Sequence, residues 1–330
     1  MAIQHVLVTG GAGFIASNVG RLLCDAGFSV TALDDLSLGY RELVDPRCRF
    51  IRADLNDDHR LREAMRGVGA VMHFAASSII APSYTDPMAY VQNNVVNGTK
   101  LLEAMRAADV RYLVFSSSAS VYGEPQRIPV HEDDAKRPLQ VYGASKLAFE
   151  CLLQGYYHAF GINSVSLRYF NAYGPGDLQE PVTRAVPRWI RSALIEQPIV
   201  LYWEGKQYRD YVFVEDVARA HIRVLGMEGL HVYNVGSGDG VLMCDVVQVL
   251  QGLFRNPLHV VDGGQRSGDP MRLVADVSRI SQELGWQPVT TLEDGLAETI
   301  AFYDRTRAVW TARMEPCPPA SSRRRELMAS

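Results

Sequence analysis

The stretch VLVTGGAGFIAS (6–17) decides the fold. An apolar run reaches a glycine cluster, and a helical pattern at 14–26 starts inside that cluster. A strand that feeds a helix through such a turn is the setting a dinucleotide fingerprint requires. Gly10 and Gly13 permit the tight turn and a close approach of backbone to a pyrophosphate, whose charge the helix N-terminus stabilises. Ala16 stands at the third position, where its small side chain still admits close helix-to-strand packing.

The alternation continues outward. Strands are predicted at 28–33, 48–53, 70–74, 111–116 and 164–167, and helices at 58–66, 86–107 and 141–160. This predicts an α/β chain built on a Rossmann-type, doubly wound parallel sheet with right-handed crossovers. The second half is less regular, with strands at 208–214, 232–235, 260–261 and 273–275 and helices at 186–195, 217–225, 244–254, 278–284 and 292–303. The expected division is a dinucleotide-binding domain at 1–168, with a returning segment at about 208–238. A smaller α/β substrate-binding lobe takes 169–207 and 239–305. Residues 306–330, rich in Arg, Pro and Ser, are expected to be a disordered tail.

Composition narrows the class. With 330 residues, 47% of them hydrophobic, the chain can bury a sizeable core. The net charge is −4 with no block of like charge in the body, so no nucleic-acid or membrane footprint is expected. No apolar run approaches the roughly 20 residues of a membrane span. A strand-like run close behind Met1 gives the expectation of no signal peptide. The five cysteines are scattered without CxxC spacing, which predicts reduced thiols, a cytoplasmic location and no metal site.

Asp34 and Asp35 end the second strand, about 20 residues beyond the glycines. A carboxylate there accepts hydrogen bonds from ribose hydroxyls and repels a 2′-phosphate, which predicts NAD and not NADP. Counting leaves both aspartates open. Asp54, in RADLND (52–57), ends the third strand, either facing the adenine or as a solvated loop residue. Phe14, Ile15, Leu55, Phe74, Ala75 and Ala76 are the other expected cofactor contacts along this edge. His73 reads as a packed residue and not as a base.

The chemical signal lies at the fifth strand and the helix after it. Ser116, Ser117 and Ser118 reach the carboxyl edge of the sheet, where doubly wound folds bind ligands. Tyr142 and Lys146, in VYGASK (141–146), are four residues apart and share one helix face. An ammonium beside a phenol favours the phenolate and makes the tyrosine a usable base. No nucleophile elbow surrounds the serines, which disfavours a hydrolase.

Six stretches in order, TGGAGFIAS, FSSSASVYG, YGASK, LRYFNAYGPG, RDYVFVEDVA and RSGDP, resemble the extended short-chain dehydrogenase/reductases that act on nucleotide sugars. Within that group the chain is most similar to 4-epimerases of the UDP-galactose/UDP-glucose type, over about residues 3–303. The resemblance implies Tyr142 as base, Lys146 as its pKa partner and ribose ligand, and Ser118 as the holder of the sugar 4-oxygen. It implies Ser116, Asn94 and Tyr169 toward NAD, and Asn171 toward the substrate phosphates. Arg209 and Arg266 match diphosphate ligands, Asp269 lies by the nucleotide ribose, and Leu273 borders the sugar. A homodimer through helices 86–107 and 141–160 is implied as well.

The departures from the pattern discriminate between chemistries. Dehydratases of this group carry an acidic residue directly after the catalytic Ser or Thr, and here Ala119 and Ser120 follow Ser118. Elimination and decarboxylation then lack their acid/base, which predicts a 4-epimerase working through a transient 4-keto sugar. The alternatives are a 4,6-dehydratase with an unusual acid/base and a non-catalytic NAD-binding regulator. The compact PGDLQEPVTRAVPRWI (175–190) lacks a histidine-containing insert of bacterial galactose epimerases, leaving uronic and N-acetylated sugars open.

Overall fold

The computed structural model describes residues 3–79, 81–265 and 270–312, so Arg266, Asp269 and 313–330 lie outside the described residues. Alternation of side chains builds the first layer. In β1 (His5–Thr9), Val6 and Val8 enter one core cluster while Leu7 enters the other. A period of two that is apolar on both faces belongs to a strand covered on both sides. β2 (Ser29–Asp34), β3 (Arg49–Arg52), β4 (Ala70–His73), β5 (Tyr112–Ser118) and β6 (Asn163–Tyr169) follow.

Short strands come next: β7 (Asn171–Tyr173), β8 (Ile199–Leu201) and β9 (Tyr208–Phe213), then β10 (Leu230–Val235). β11 (Gly240–Leu242), β12 (Val260–Asp262) and β13 (Arg272–Leu273) complete the set. Seven strands form one sheet in the order β10-β6-β5-β4-β1-β2-β3, with every pairing parallel.

The helices α1 (Phe14–Asp25), α2 (Asp58–Ala64), α3 (Pro87–Val91) and α4 (Asn97–Ala107) are followed by α5 (Val141–Phe160). The second half adds α6 (Ala185–Leu194), α7 (Val214–Arg223), α8 (Met243–Leu253), α9 (Ser278–Leu284), α10 (Leu292–Arg305) and α11 (Arg307–Thr311). Residues of α1 and α7 share one core cluster with the sheet, and α2, α4 and α5 share the other. This is the doubly wound arrangement. No described helix is long and apolar enough to cross a membrane.

Three expectations are corrected. The helix expected at 86–107 runs on without a break but is not α throughout, because Gln92–Val96 forms a π turn between α3 and α4. A π bulge re-aims side chains within a helix, and here it carries the buried Asn94. The strand at 208–214 does not return to the large sheet. β9 pairs with β7, β11 and β13 in a smaller one, and the return is made by α7 and β10. Finally, the expected tail begins with helix: Trp310 of α11 is buried, and its indole N–H donates to the Tyr303 carbonyl at 2.8 Å. The scattered cysteines also meet, with the Cys24 and Cys48 sulfurs 3.6 Å apart.

Candidate active site

A cleft of about 480 Å³ opens along the carboxyl edge of the large sheet and runs to the smaller one. At its first end β1 turns through Gly10, whose φ of +68° suits glycine. A Cβ there would lie 2.6 Å from the Ala75 nitrogen, so the crossing of the two backbones excludes any side chain. Gly13 caps α1 without a side-chain hydrogen bond, and the first turn carries no acidic residue. No acidic side chain of the helix itself offsets the partial positive charge of that N-terminus, which fits a bound pyrophosphate.

Asp34 is buried at the end of β2, with one carboxylate oxygen accepting from the Ala12 N–H at 3.0 Å and the other from the Leu36 N–H at 2.8 Å. Burial pushes its pKa up, and those two N–H groups oppose the rise. Asp35 is less buried and binds Ser37 instead. Asp34 is thus the rigid acceptor in the cleft wall, and Asp35 belongs to the loop. Asp54, Leu55, Phe74, Ala75 and Ala76 complete this end of the cleft, with Phe14 and Ile15 from α1.

Ser116, Ser118, Tyr142 and Lys146 meet midway. The Lys146 ammonium donates to the Ser116 carbonyl at 2.7 Å and lies 5.9 Å from the centre of the Tyr142 ring. Burial pushes Lys146 down to about 7, opposed by the Glu150 carboxylate one turn along α5. Burial likewise pushes the Tyr142 phenol above its ordinary range, against a hydrogen bond from Ser118 and the positive charge of Arg184. The net direction is opposite to the lowering expected from Lys146, because desolvation of the phenolate outweighs Ser118 and Arg184. Ser118 is anchored in turn, its hydroxyl 3.1 Å from that of Ser120.

At the second end Asn171, Arg209 and Leu273 line the cleft. The Asp210 carboxylate accepts backbone N–H groups of Ser237, Gly238 and Ala275. Glu215 pairs with Arg21 and Arg219. Asp210 and Glu215 are therefore both engaged by these groups. Acidic residues lining the cleft, among those described, are Asp34, Asp35 and Asp54, all at the first end.

A model of the NAD dependent epimerase/dehydratase family matches residues 6–236. The chain belongs to this family. The UDP-glucose 4-epimerase of Corynebacterium glutamicum is 38% identical over 324 residues, covering 92% of this chain and 98% of the relative. The UDP-glucose 4-epimerase of Brucella ovis, solved in complex with NAD, superposes with a TM-score of 0.85 at 34% identity, covering 91% of this chain and 98% of that one. The UDP-N-acetylglucosamine 4-epimerase of Methanobrevibacter ruminantium, solved with UDP-N-acetylmuramic acid, has a TM-score of 0.88 at 30% identity, covering 93% and 100%.

Of the residues singled out in this family member, Asn94 sits one layer behind the cleft. Its amide accepts from the Ser77 N–H at 2.8 Å and donates to the Ser77 carbonyl and the Ser145 hydroxyl. Through these bonds it holds Ser77, which lines the cleft. Tyr169 does line the cleft. Arg266 and Asp269 lie outside the described residues.

Sequence reasoning missed Arg184 and Arg188, both in the cleft wall. Arg184 forks onto Asp177 and Gln179, with its guanidinium 5.5 Å from the Phe14 ring centre, and Arg188 lies 5.5 Å from the Tyr202 ring centre. The available signal was their spacing of four in TRAVPR (183–188), which places two cations on one face as α6 begins.

Proposed function

We propose that this protein is an NAD-dependent 4-epimerase of a UDP-sugar. The observation that carries the reading is the neighbourhood of Ser118 and Tyr142. A phenol and a hydroxyl share the cleft, Ala119 and Ser120 follow, and no described carboxylate lines that part. Such a site can take a proton from a sugar hydroxyl and return it. It has no acid/base for expelling water from a neighbouring carbon, so the dehydratase reading is the weaker one.

In this reading the α1 N-terminus, Asp34 and Lys146 hold NAD, and the bound cofactor supplies reversible oxidation at the sugar C4. Tyr142 takes the 4-hydroxyl proton, Ser118 steadies the oxygen, and the transient 4-keto sugar turns before the proton comes back from Tyr142. Arg184, Arg188 and Arg209 offer planar forks to the diphosphate, which anchors the substrate while its sugar turns. Leu273 borders the sugar. Residues 1–168 with α7 and β10 form the cofactor lobe, and the remaining strands and helices form the substrate lobe.

A cytoplasmic homodimer completes the proposal. Ala144, Ala148, Cys151, Gly155 and Ala159 are exposed at spacings of three and four on α5, and Met88 and Val96 are exposed on the neighbouring helix. A face this small in its side chains lets a second α5 approach closely.

Incubation with UDP-glucose, UDP-N-acetylglucosamine and UDP-glucuronate in D₂O, followed by proton NMR, tests the activity. The C4 epimer of at least one sugar is expected, without deuterium at C4 or C5. A 4-keto-6-deoxy product, or no product from NAD-loaded protein on any of the three, sinks the proposal.

A further inference from the structure

His221 lies outside every role described so far, yet it is fully buried directly behind the cleft wall. Its ring packs against Phe74 at 4.7 Å between centres, and Phe74 lines the cleft. Its Nδ1 is 2.9 Å from the Val217 carbonyl, one turn back on α7. Its Nε2 is 2.6 Å from the Tyr169 hydroxyl.

These two contacts determine the tautomer. A carbonyl only accepts, so Nδ1 carries the proton. In the neutral ring Nε2 is then an acceptor, and the Tyr169 hydroxyl must donate to it. Burial holds the ring neutral, with its pKa lowered to about 4. With its only proton aimed at His221, the Tyr169 oxygen can accept but not donate elsewhere. Tyr169 lines the cleft. One directed chain of donors runs from Tyr169 through His221 to Val217.

We propose that His221 is a positioning residue for the cofactor: it takes the Tyr169 proton, so that the cleft wall at Tyr169 presents an acceptor and not a donor. This rests on the reading above that the wall receives NAD. A buried ring that touches no ligand would then control cofactor affinity through a single hydrogen bond.

The test uses NAD-stripped full-length protein, titrated with NAD by calorimetry, alongside steady-state kinetics and melting temperatures. His221→Leu removes the acceptor that fixes the Tyr169 proton and lets the hydroxyl turn, so NAD affinity is expected to fall about tenfold. kcat should fall at saturating cofactor while KM for the UDP-sugar stays put. His221→Gln keeps an acceptor at the position of Nε2 and should recover affinity to within about threefold of wild type. Tyr169→Phe should match His221→Leu, and the double variant should lose no more than either, because both remove one shared bond.

Wild-type NAD affinity in His221→Leu, or a Gln variant as weak as the Leu variant at equal melting temperature, would overturn the proposal. So would additive losses in the double variant. If His221→Leu does not fold, unchanged NAD affinity in Tyr169→Phe has the same force. Failure of the wild-type protein to bind NAD would instead overturn the functional reading itself, and the proposal with it.

Discussion

Tyr142 and Lys146 show how a single residue's chemistry depends on what surrounds it. Their spacing put them on one helix face, and the fold does bring both into the cleft. Burial then works against both charges, raising the phenol and lowering the ammonium. Tyr142→Phe removes the ionisable oxygen and little volume, so kcat should fall by about 10² or more while NAD content is unchanged. Lys146 carries a stability consequence whose sign follows from linkage. The unfolded lysine keeps its proton to about pH 10.4, whereas the buried one releases it near 7. Within that window the unfolded chain binds more protons, so stability rises with pH. The penalty of the buried charge is full below pH 7 and relieved toward pH 10. Lys146→Met should therefore stabilise the NAD-stripped protein by on the order of 2 kcal/mol or more at pH 6, with the gap closing as pH rises. Urea titration across pH checks it; a gap independent of pH would mean that Lys146 is not desolvated.

At the scale of elements, the site is braced from behind by α5 and β6. Arg168 of β6 forks onto Glu150 of α5 at 3.0 and 2.7 Å, with both side chains nearly removed from water. The Ser117 hydroxyl donates to the same carboxylate at 2.5 Å, which turns this middle serine away from chemistry. Glu150→Gln leaves a buried guanidinium without its counter-charge, and the expected loss is about 3 kcal/mol in urea unfolding. A loss below about 1 kcal/mol would show that water reaches the pair. The short strand β13 makes the second case. Its pairing of Leu273 with Arg209 brings Leu273 to the cleft. Leu273→Tyr should lower activity on UDP-N-acetylglucosamine about tenfold more than on UDP-glucose, since overpacking excludes the larger sugar. Equal losses in kcat/KM on both substrates would remove Leu273 from the sugar wall.

For the whole molecule, the exposed face of α5 is the feature a single chain leaves unused. Ala148→Arg places a long cation at the middle of that face, where the lone chain has room for it. Light scattering at micromolar concentration should give a dimer mass for the wild type and a monomer mass for the variant, with NAD retained in both. A variant that stays dimeric would place the contact on another surface.

The large parallel sheet and the cofactor edge of the cleft were legible from the chain, because both are written in local pattern. A period of two, a glycine turn and an aspartate about 20 residues on need only neighbours along the backbone to be recognised. The sequence also brought Tyr142, Lys146 and Ser118 together, through spacing and family resemblance. Tertiary structure alone decided the rest. Asp34 and Asp35 are equivalent by counting, and only the burial of Asp34 against the Ala12 and Leu36 N–H groups separates them. β7, β8 and β11 are three residues each, too short to show a period, and exist only through their partners. The bonds of Asn94 to Ser77 and Ser145 come from the π turn, which the sequence did not show. The pKa directions at Tyr142 and Lys146 follow from desolvation, a property of the volume around a group and of no residue in the chain by itself.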